Sequence, residues 1–333
     1  MRSIPDRITL LRKLALLCAA LVLAITSLSA FIRLSKAGLG CEPWPQCYGQ
    51  GLREAPSATP QPVPPVVAGA RVAHRVVAVA ALLVIIGMVM TTLASTPMLW
   101  RQGRMVLGLL GLALFLAVLG RWTADSRLPA VVLGNLLAGF ALFALSWRLL
   151  LSTATAPVAS PVPRGWISIA LAVLLAQIAL GGLVSAVQAG LSCPELIRCD
   201  PSAGSWQAFN PWHAPVPGDA DPTHPAGALL HFAHRAGSLL ALAVLLPLGI
   251  VAWRRGHRGG AVLVLLLVVQ VALGALLVVR ALPLALGLAH NMVAAALLAA
   301  VASLAGPVRS PAATQPAAAQ EKVSGSPSGS SAR

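Results

Sequence analysis

Four histidines, His74, His231, His234 and His290, stand within long runs of Leu, Ala, Val and Gly. Ionisable side chains are rare at membrane depth, and those found there usually serve binding or transport. His234 and His290 each lie about seven residues into an apolar run from the same side, so both sit roughly 10 Å deep. Two imidazoles at one depth on neighbouring helices can grip a planar metal macrocycle from its opposite faces, as bundle cores do with cofactors. The plainer reading of a lone membrane histidine is an interhelical hydrogen bond. His74 stands at a similar depth on another run. His231 precedes His234 by one turn on the same face. It cannot ligate the same iron face, and it reads as a proton relay or hydrogen-bond partner. Arg75 and Arg235 each follow one of these histidines. Pairing with carboxylates of a bound porphyrin and snorkelling to lipid phosphate are both open to them.

The other histidines carry less. His257 lies in the basic turn Arg254–Arg258 and reads as a solvated cation. His213 and His224 lie among prolines in a long loop and read as loop residues, with covering a site as the alternative. Of five cysteines, Cys18 lies within the first apolar run and reads as a packing residue. The others form two C-x5-C pairs, Cys41 with Cys47 and Cys193 with Cys199. In an oxidising compartment such pairs form structural disulfides. Redox-active thiols and metal ligands are the rival readings, the latter needing more ligands than the first loop, which has no His, supplies.

The elements that must position these groups follow from composition. The chain has 333 residues, 57% hydrophobic and 10% charged, with mean hydropathy +0.82. A soluble domain is usually about 25% charged, so these values exclude an ordinary soluble enzyme and a disordered protein. The +15 net charge sits in short clusters between apolar runs. It therefore points to membrane orientation rather than nucleic acid. Runs of roughly 20 apolar residues span a bilayer. Eight are expected, at about 14–34, 66–94, 104–122, 128–150, 166–188, 227–252, 261–281 and 283–306. They lack the period-two alternation of barrel strands. The first, preceded by Arg2, Arg7, Arg12 and Lys13, also has the look of a signal peptide. With the N-terminus in the cytoplasm, fourteen of the 24 Lys and Arg fall on that side, in accord with the positive-inside rule. Seven of the nine acids fall opposite: Glu42, Glu54, Asp125, Glu195, Asp200, Asp219 and Asp221. The loops 35–65 and 189–226 are then outside. Residues 307–333, rich in Ala, Pro, Ser and Gly, read as a disordered cytoplasmic tail.

The chain also repeats itself. Ala37-Gly38-Leu39-Gly40-Cys41 matches Ala189-Gly190-Leu191-Ser192-Cys193, and each has a second cysteine at the same spacing. Ala73-His74-Arg75 matches Ala233-His234-Arg235, and Pro129 and Pro283 open the fourth and eighth runs. The expected fold is an all-α integral membrane protein, eight transmembrane helices forming two pseudo-symmetric four-helix bundles. The divisions are a cytoplasmic N-terminus (1–13), an N-terminal half (14–150), a cytoplasmic linker (151–165), a C-terminal half (166–306) and the tail (307–333). Because the first run has a counterpart in the fifth, it is expected to be retained as a helix. Gln177 and Gln270 recur, each four residues before a glycine (Gly181, Gly274). They read as structural amides with a secondary role beside a site.

Together these residues, with the stretch Cys41-Glu42-Pro43-Trp44-Pro45-Gln46-Cys47-Tyr48-Gly49, resemble the haem A synthase family over about residues 10–306. The resemblance implies a haem b held between His234 and His290 in the C-terminal half. It implies substrate haem O at His74 in the N-terminal half. The methyl group of haem O is then oxidised to the formyl group of haem A, with oxygen from water and electrons passing between the haems. It also implies a bacterial inner-membrane location, a farnesyltransferase that makes haem O and a terminal oxidase under assembly as partners. A homo-oligomer is compatible with it. The N-terminal half departs from the pattern. Arg71 stands where the family carries a catalytic Glu, and no His lies between 74 and 213. Gly134 or Asn135 occupies the place of the missing fourth-helix His, since Leu-Gly134-Asn135 lines up with Ala-His290-Asn291, and Leu116 stands where the repeat predicts a glutamine. Arg71 could bind a propionate instead. Two other functions stay open: a non-catalytic haem-binding or oxidase-assembly protein, and a transporter with parallel repeats.

Overall fold

The computed structural model describes residues 3–50, 63–94, 96–123, 126, 128–154, 160, 162–214 and 223–306. The tail at 307–333, Arg2, Glu54, Asp125, Asp219 and Asp221 lie outside the described residues. The described residues form eight long apolar helices and no strand: α1 (Ile4–Lys36), α2 (Pro65–Leu93), α3 (Trp100–Thr123), α4 (Pro129–Ser152), α5 (Arg164–Ala186), α6 (Ala228–Arg254), α7 (Arg258–Val279) and α8 (Leu284–Leu304). Each is long and apolar enough to cross a bilayer. Helices keep their backbone hydrogen bonds within one segment, which an apolar solvent demands.

α1 begins ten residues before the expected span, so most of the segment read as a cytoplasmic N-terminus is helical. The start is specified locally. Ser3 accepts from the Asp6 amide, Pro5 occupies the first turn, and Asp6 sits at the positive end of the helix dipole. Arg7 is only 3% exposed. It donates to the Thr91 carbonyl at 2.9 and 3.1 Å and to that of Pro97 at 2.8 Å, tying α1 to the turn after α2. Hydropathy measures the lipid-facing length and ignores such ties. The other helix boundaries fall within about four residues of expectation.

In the first half α1 packs on α2 and α4, and α3 packs on both α2 and α4. In the second, α6 packs on α5 and α7, and α7 on α8. α1, α4, α5 and α8 form the seam between halves. There Arg148 of α4 donates to the Ala302 (3.0 Å) and Ala305 carbonyls, capping the C-terminus of α8. Arg33 of α1 donates to Asn291 of α8 at 2.9 Å.

The duplication is visible in helix phase. α2 buries Ala81, Ile85, Met88 and Thr92, while the buried residues of α6 include Ala241, Leu245, Leu248 and Ala252. These lie 7, 11, 14 and 18 residues after His74 and His234 respectively. Both histidines therefore head the stripe that each helix turns to its own bundle.

Candidate haem site

Two disulfide-closed loops lie over one end of the bundles. Cys41 is bonded to Cys47 and Cys193 to Cys199, with Cα atoms 6.1 and 5.0 Å apart. The only free cysteine among the described residues is buried Cys18, which contacts Ser146 of α4. The Gly190 amide donates to the hydroxyl of Tyr48 at 3.3 Å, so the loops are tied to each other across the seam. Tyr48 is 3% exposed, and burial pushes its phenol up to about 12, leaving it neutral. Gly38 beside it has φ +88°, and a Cβ there would stand 2.9 Å from the Cys47 carbonyl. Only glycine suits that turn.

Beneath the second loop, α6 carries three of the predicted groups. Arg235 donates to the carbonyls of Cys193 (2.6 Å), Glu195 (2.7 Å) and Leu196 (3.3 Å). It therefore clasps the disulfide loop, a third use beside the two expected of it. A neutral peptide loop accepts several guanidinium bonds at once because Arg offers a fixed fork of donors. His231, 6% exposed, meets the Ala189 carbonyl at 3.0 Å. A carbonyl only accepts, so the proton sits on His231 Nδ1. This histidine holds the start of the same loop.

His234 and His290 belong to two matched cassettes. Gln177 of α5 places its amide nitrogen 3.1 Å from His234 Nδ1 and 2.9 Å from the His234 carbonyl. Gln270 of α7 places its amide nitrogen 3.1 Å from His290 Nε2. One turn after each glutamine stands a glycine. A Cβ at Gly181 would meet His234 Cε1 at 2.7 Å, and one at Gly274 would meet His290 Cε1 at 3.4 Å. The amide fixes the ring and the missing side chain admits it. The repeated Gln-x-x-x-Gly spacing was the sequence signal for this. The glutamines were read as structural amides with a secondary role beside a site, and their contacts to the two imidazoles fit the second part of that reading.

His290 Nδ1, Gln177 Oε1 and Gln270 Oε1 are buried without a hydrogen-bond partner. Buried polar atoms left unpaired cost about 1–3 kcal/mol each, so such a cluster marks a place built for something polar or metallic. Among the described residues no three His, Cys, Asp or Glu gather to hold a bare ion. The glutamine nitrogens can only donate, so as placed each ring carries its proton on the other nitrogen; with the amide turned end for end, Oε1 would accept from the ring N–H and free that other nitrogen for a metal whose remaining positions come from a macrocycle.

The first half is built differently. His74 faces its bundle but makes no hydrogen bond to the described residues. Arg71 is partly buried and Arg75 exposed, so Arg75 does not copy the clasp of Arg235. The repeat puts Ile25 and Leu116 opposite Gln177 and Gln270. Gly134 faces Leu119 and Phe115, whose Cδ2 and Cζ atoms would lie 2.8 and 4.0 Å from a Cβ there. Asn135 turns its amide to the Val131 carbonyl of its own helix at 2.9 Å.

The remaining histidines are loop residues. His213 is exposed, two residues after Pro211, whose carbonyl accepts from the Ala130 amide at 2.8 Å at the start of α4. His224 adopts φ 46° before Pro225. His257 is the N-cap of α7: its Nδ1 accepts from the Gly259 amide at 3.2 Å. Burial lowers its pKa, so it is a neutral cap and the solvated-cation reading of it is corrected.

Fold and site together define a duplicated, eight-helix membrane-protein class, with paired imidazoles in one bundle and disulfide-closed loops above. A family model described as cytochrome oxidase assembly protein (COX15-CtaA) matches residues 12–302. The chain is 33% identical over 306 residues to a heme A synthase of Shewanella oneidensis, covering 83% of this chain and 90% of that one. The chain belongs to the COX15-CtaA family.

Proposed function

We propose that this protein is a haem A synthase-like oxidoreductase of a bacterial inner membrane, oxidising the methyl group of haem O to the formyl group of haem A. Its N- and C-termini face the cytoplasm, and its N- and C-terminal halves are the substrate and haem b domains. The observation that carries the reading is the pair of Gln–His–Gly cassettes, with a buried imidazole nitrogen left unpaired between α7 and α8. Family membership and the Shewanella relative support it.

His234 and His290 are the residues to hold haem b, and His74 the one to hold haem O. A haem held by two imidazoles supplies an iron that passes single electrons. The chain's own groups do the rest. Gln177 and Gln270 set the ring angles of the two ligands. Arg235 and His231 hold the disulfide loop over them, and the apolar helices keep water from the bundle. In the overall change a methyl group and one water give a formyl group, four protons and four electrons, the electrons going to an external one-electron acceptor. Partners of this activity are a farnesyltransferase producing haem O and the terminal oxidase that receives haem A.

A second reading, a non-catalytic haem-binding or oxidase-assembly protein, is favoured by Arg71 at the family's carboxylate position and Gly134 or Asn135 at its histidine position. Expression in a host that makes haem O but lacks its own synthase decides between them. Haem A in the extracted pigments supports the first reading. Haem B and haem O alone overturn it in favour of the second.

A further inference from the structure

The half that keeps His74 retains one imidazole where the other half has two. Resting on the haem reading above, we infer that a haem bound in the first half is held by His74 alone. Its opposite face is left open to small exogenous ligands. Three features point the same way. Helix phase puts His74 on the stripe that faces the first bundle, in the register of His234. The position matching His290 falls at Gly134 or Asn135; the space beside the Gly134 backbone is taken by Leu119 and Phe115, and Asn135 turns its amide to its own helix. The position matching Gln270, whose amide orients the second imidazole, is Leu116. No imidazole thus stands at the ligand position, and a carbon side chain replaces the group that would hold it.

Among the described residues no other side chain supplies the missing bond. Among the described residues α3 and α4 carry no His or Cys, and their one Met, Met105, lies near the far end of α3 from Gly134. Asn135 is turned back on its own helix. His213 is the nearest imidazole by topology, because Pro211 docks on the start of α4, but it is exposed in the loop. The second half, with two orienting glutamines, is a closed six-coordinate site. The first is an apolar site of one ligand, with Arg71 and Arg75 one turn apart on the same helix.

The coordination states are separable by spectroscopy without any turnover. The full-length protein is purified with its haem, and carbon monoxide is added to the reduced form. A six-coordinate bis-imidazole haem does not bind carbon monoxide, whereas a haem with one protein ligand does. Binding by about half of the haem is expected. His74→Ala should remove it while the low-spin spectrum of the second half persists. His290→Ala should raise it. The double substitution Gly134→His with Leu119→Ala, which supplies the ligand and its space, should close the site and turn that haem low-spin.

A wild-type protein whose haem is all low-spin and inert to carbon monoxide overturns the inference and leaves the functional reading standing. If that low-spin signal halves on His213→Ala, the loop histidine is the missing ligand. Carbon monoxide binding that survives His74→Ala also overturns it. A protein that retains no haem at all overturns the functional reading together with the inference.

Discussion

Alanine at Gly181 and alanine at Gly274 are the same chemical change at equivalent places in the repeat, and the geometry predicts opposite outcomes. At Gly181 the new methyl would stand 2.7 Å from His234 Cε1. Carbon atoms in contact rest about 3.5 Å or more apart, so the ring must retreat by roughly 0.8 Å. It is not free to do so, because Gln177 grips both its Nδ1 and the carbonyl of the same residue. Overpacking of this kind costs about 1–3 kcal/mol, which is about 5- to 140-fold in ligand affinity. At Gly274 the methyl would stand 3.4 Å from His290 Cε1, close to ordinary contact. Alanine there also gains the roughly 1 kcal/mol by which it exceeds glycine in helix propensity. Haem titration of the two variants in detergent, with thermal unfolding of the haem-free proteins as a control on folding, separates the two. Gly181→Ala should lose haem affinity within that range, and Gly274→Ala should match the wild type or be more heat-stable. Equal affinity for the two variants, or greater loss at Gly274, refutes the account of the cassettes.

Arg235→Ala should free the disulfide loop without unfolding the bundle, seen as faster amide exchange across residues 193–199; unchanged exchange would mean the clasp does not hold the loop. Tyr48→Phe removes the hydrogen bond from the Gly190 amide that ties the two loops across the seam, with an expected loss near 1 kcal/mol in unfolding free energy. No change in thermal midpoint would assign the tie to packing alone. His257 caps α7 only while Nδ1 is unprotonated, and burial lowers its folded pKa below the ordinary value. Its contribution is therefore fully present above about pH 6.5 and is lost as pH falls through the depressed folded value. Wild type should lose heat stability over that acidic window, and His257→Asn, which caps without titrating, should lose less.

Much of this molecule was written in one dimension. Lipid demands about 20 apolar residues per span and forbids an unpaired backbone, so the number and order of helices follow from hydropathy alone. The duplication then paired His74 with His234 and His290 with Gly134 or Asn135, because a repeat keeps its helix phase. The cysteine pairs, six residues apart, were legible for the same reason. What hydropathy and repeat could not give is where a long side chain ends. Arg235 was expected at a ligand or a phosphate and instead holds three loop carbonyls. Arg7 was expected in a cytoplasmic N-terminal segment and is buried against a turn 84 or more residues away. Gln177 and Gln270 reach the imidazoles only because α5 meets α6 and α7 meets α8 at one rotation and height. Sequence determined which groups lie at which depth on which helix. Tertiary packing alone decided which of them touch, since contact between separate helices depends on their relative rotation and on side-chain rotamers, neither of which a linear pattern contains.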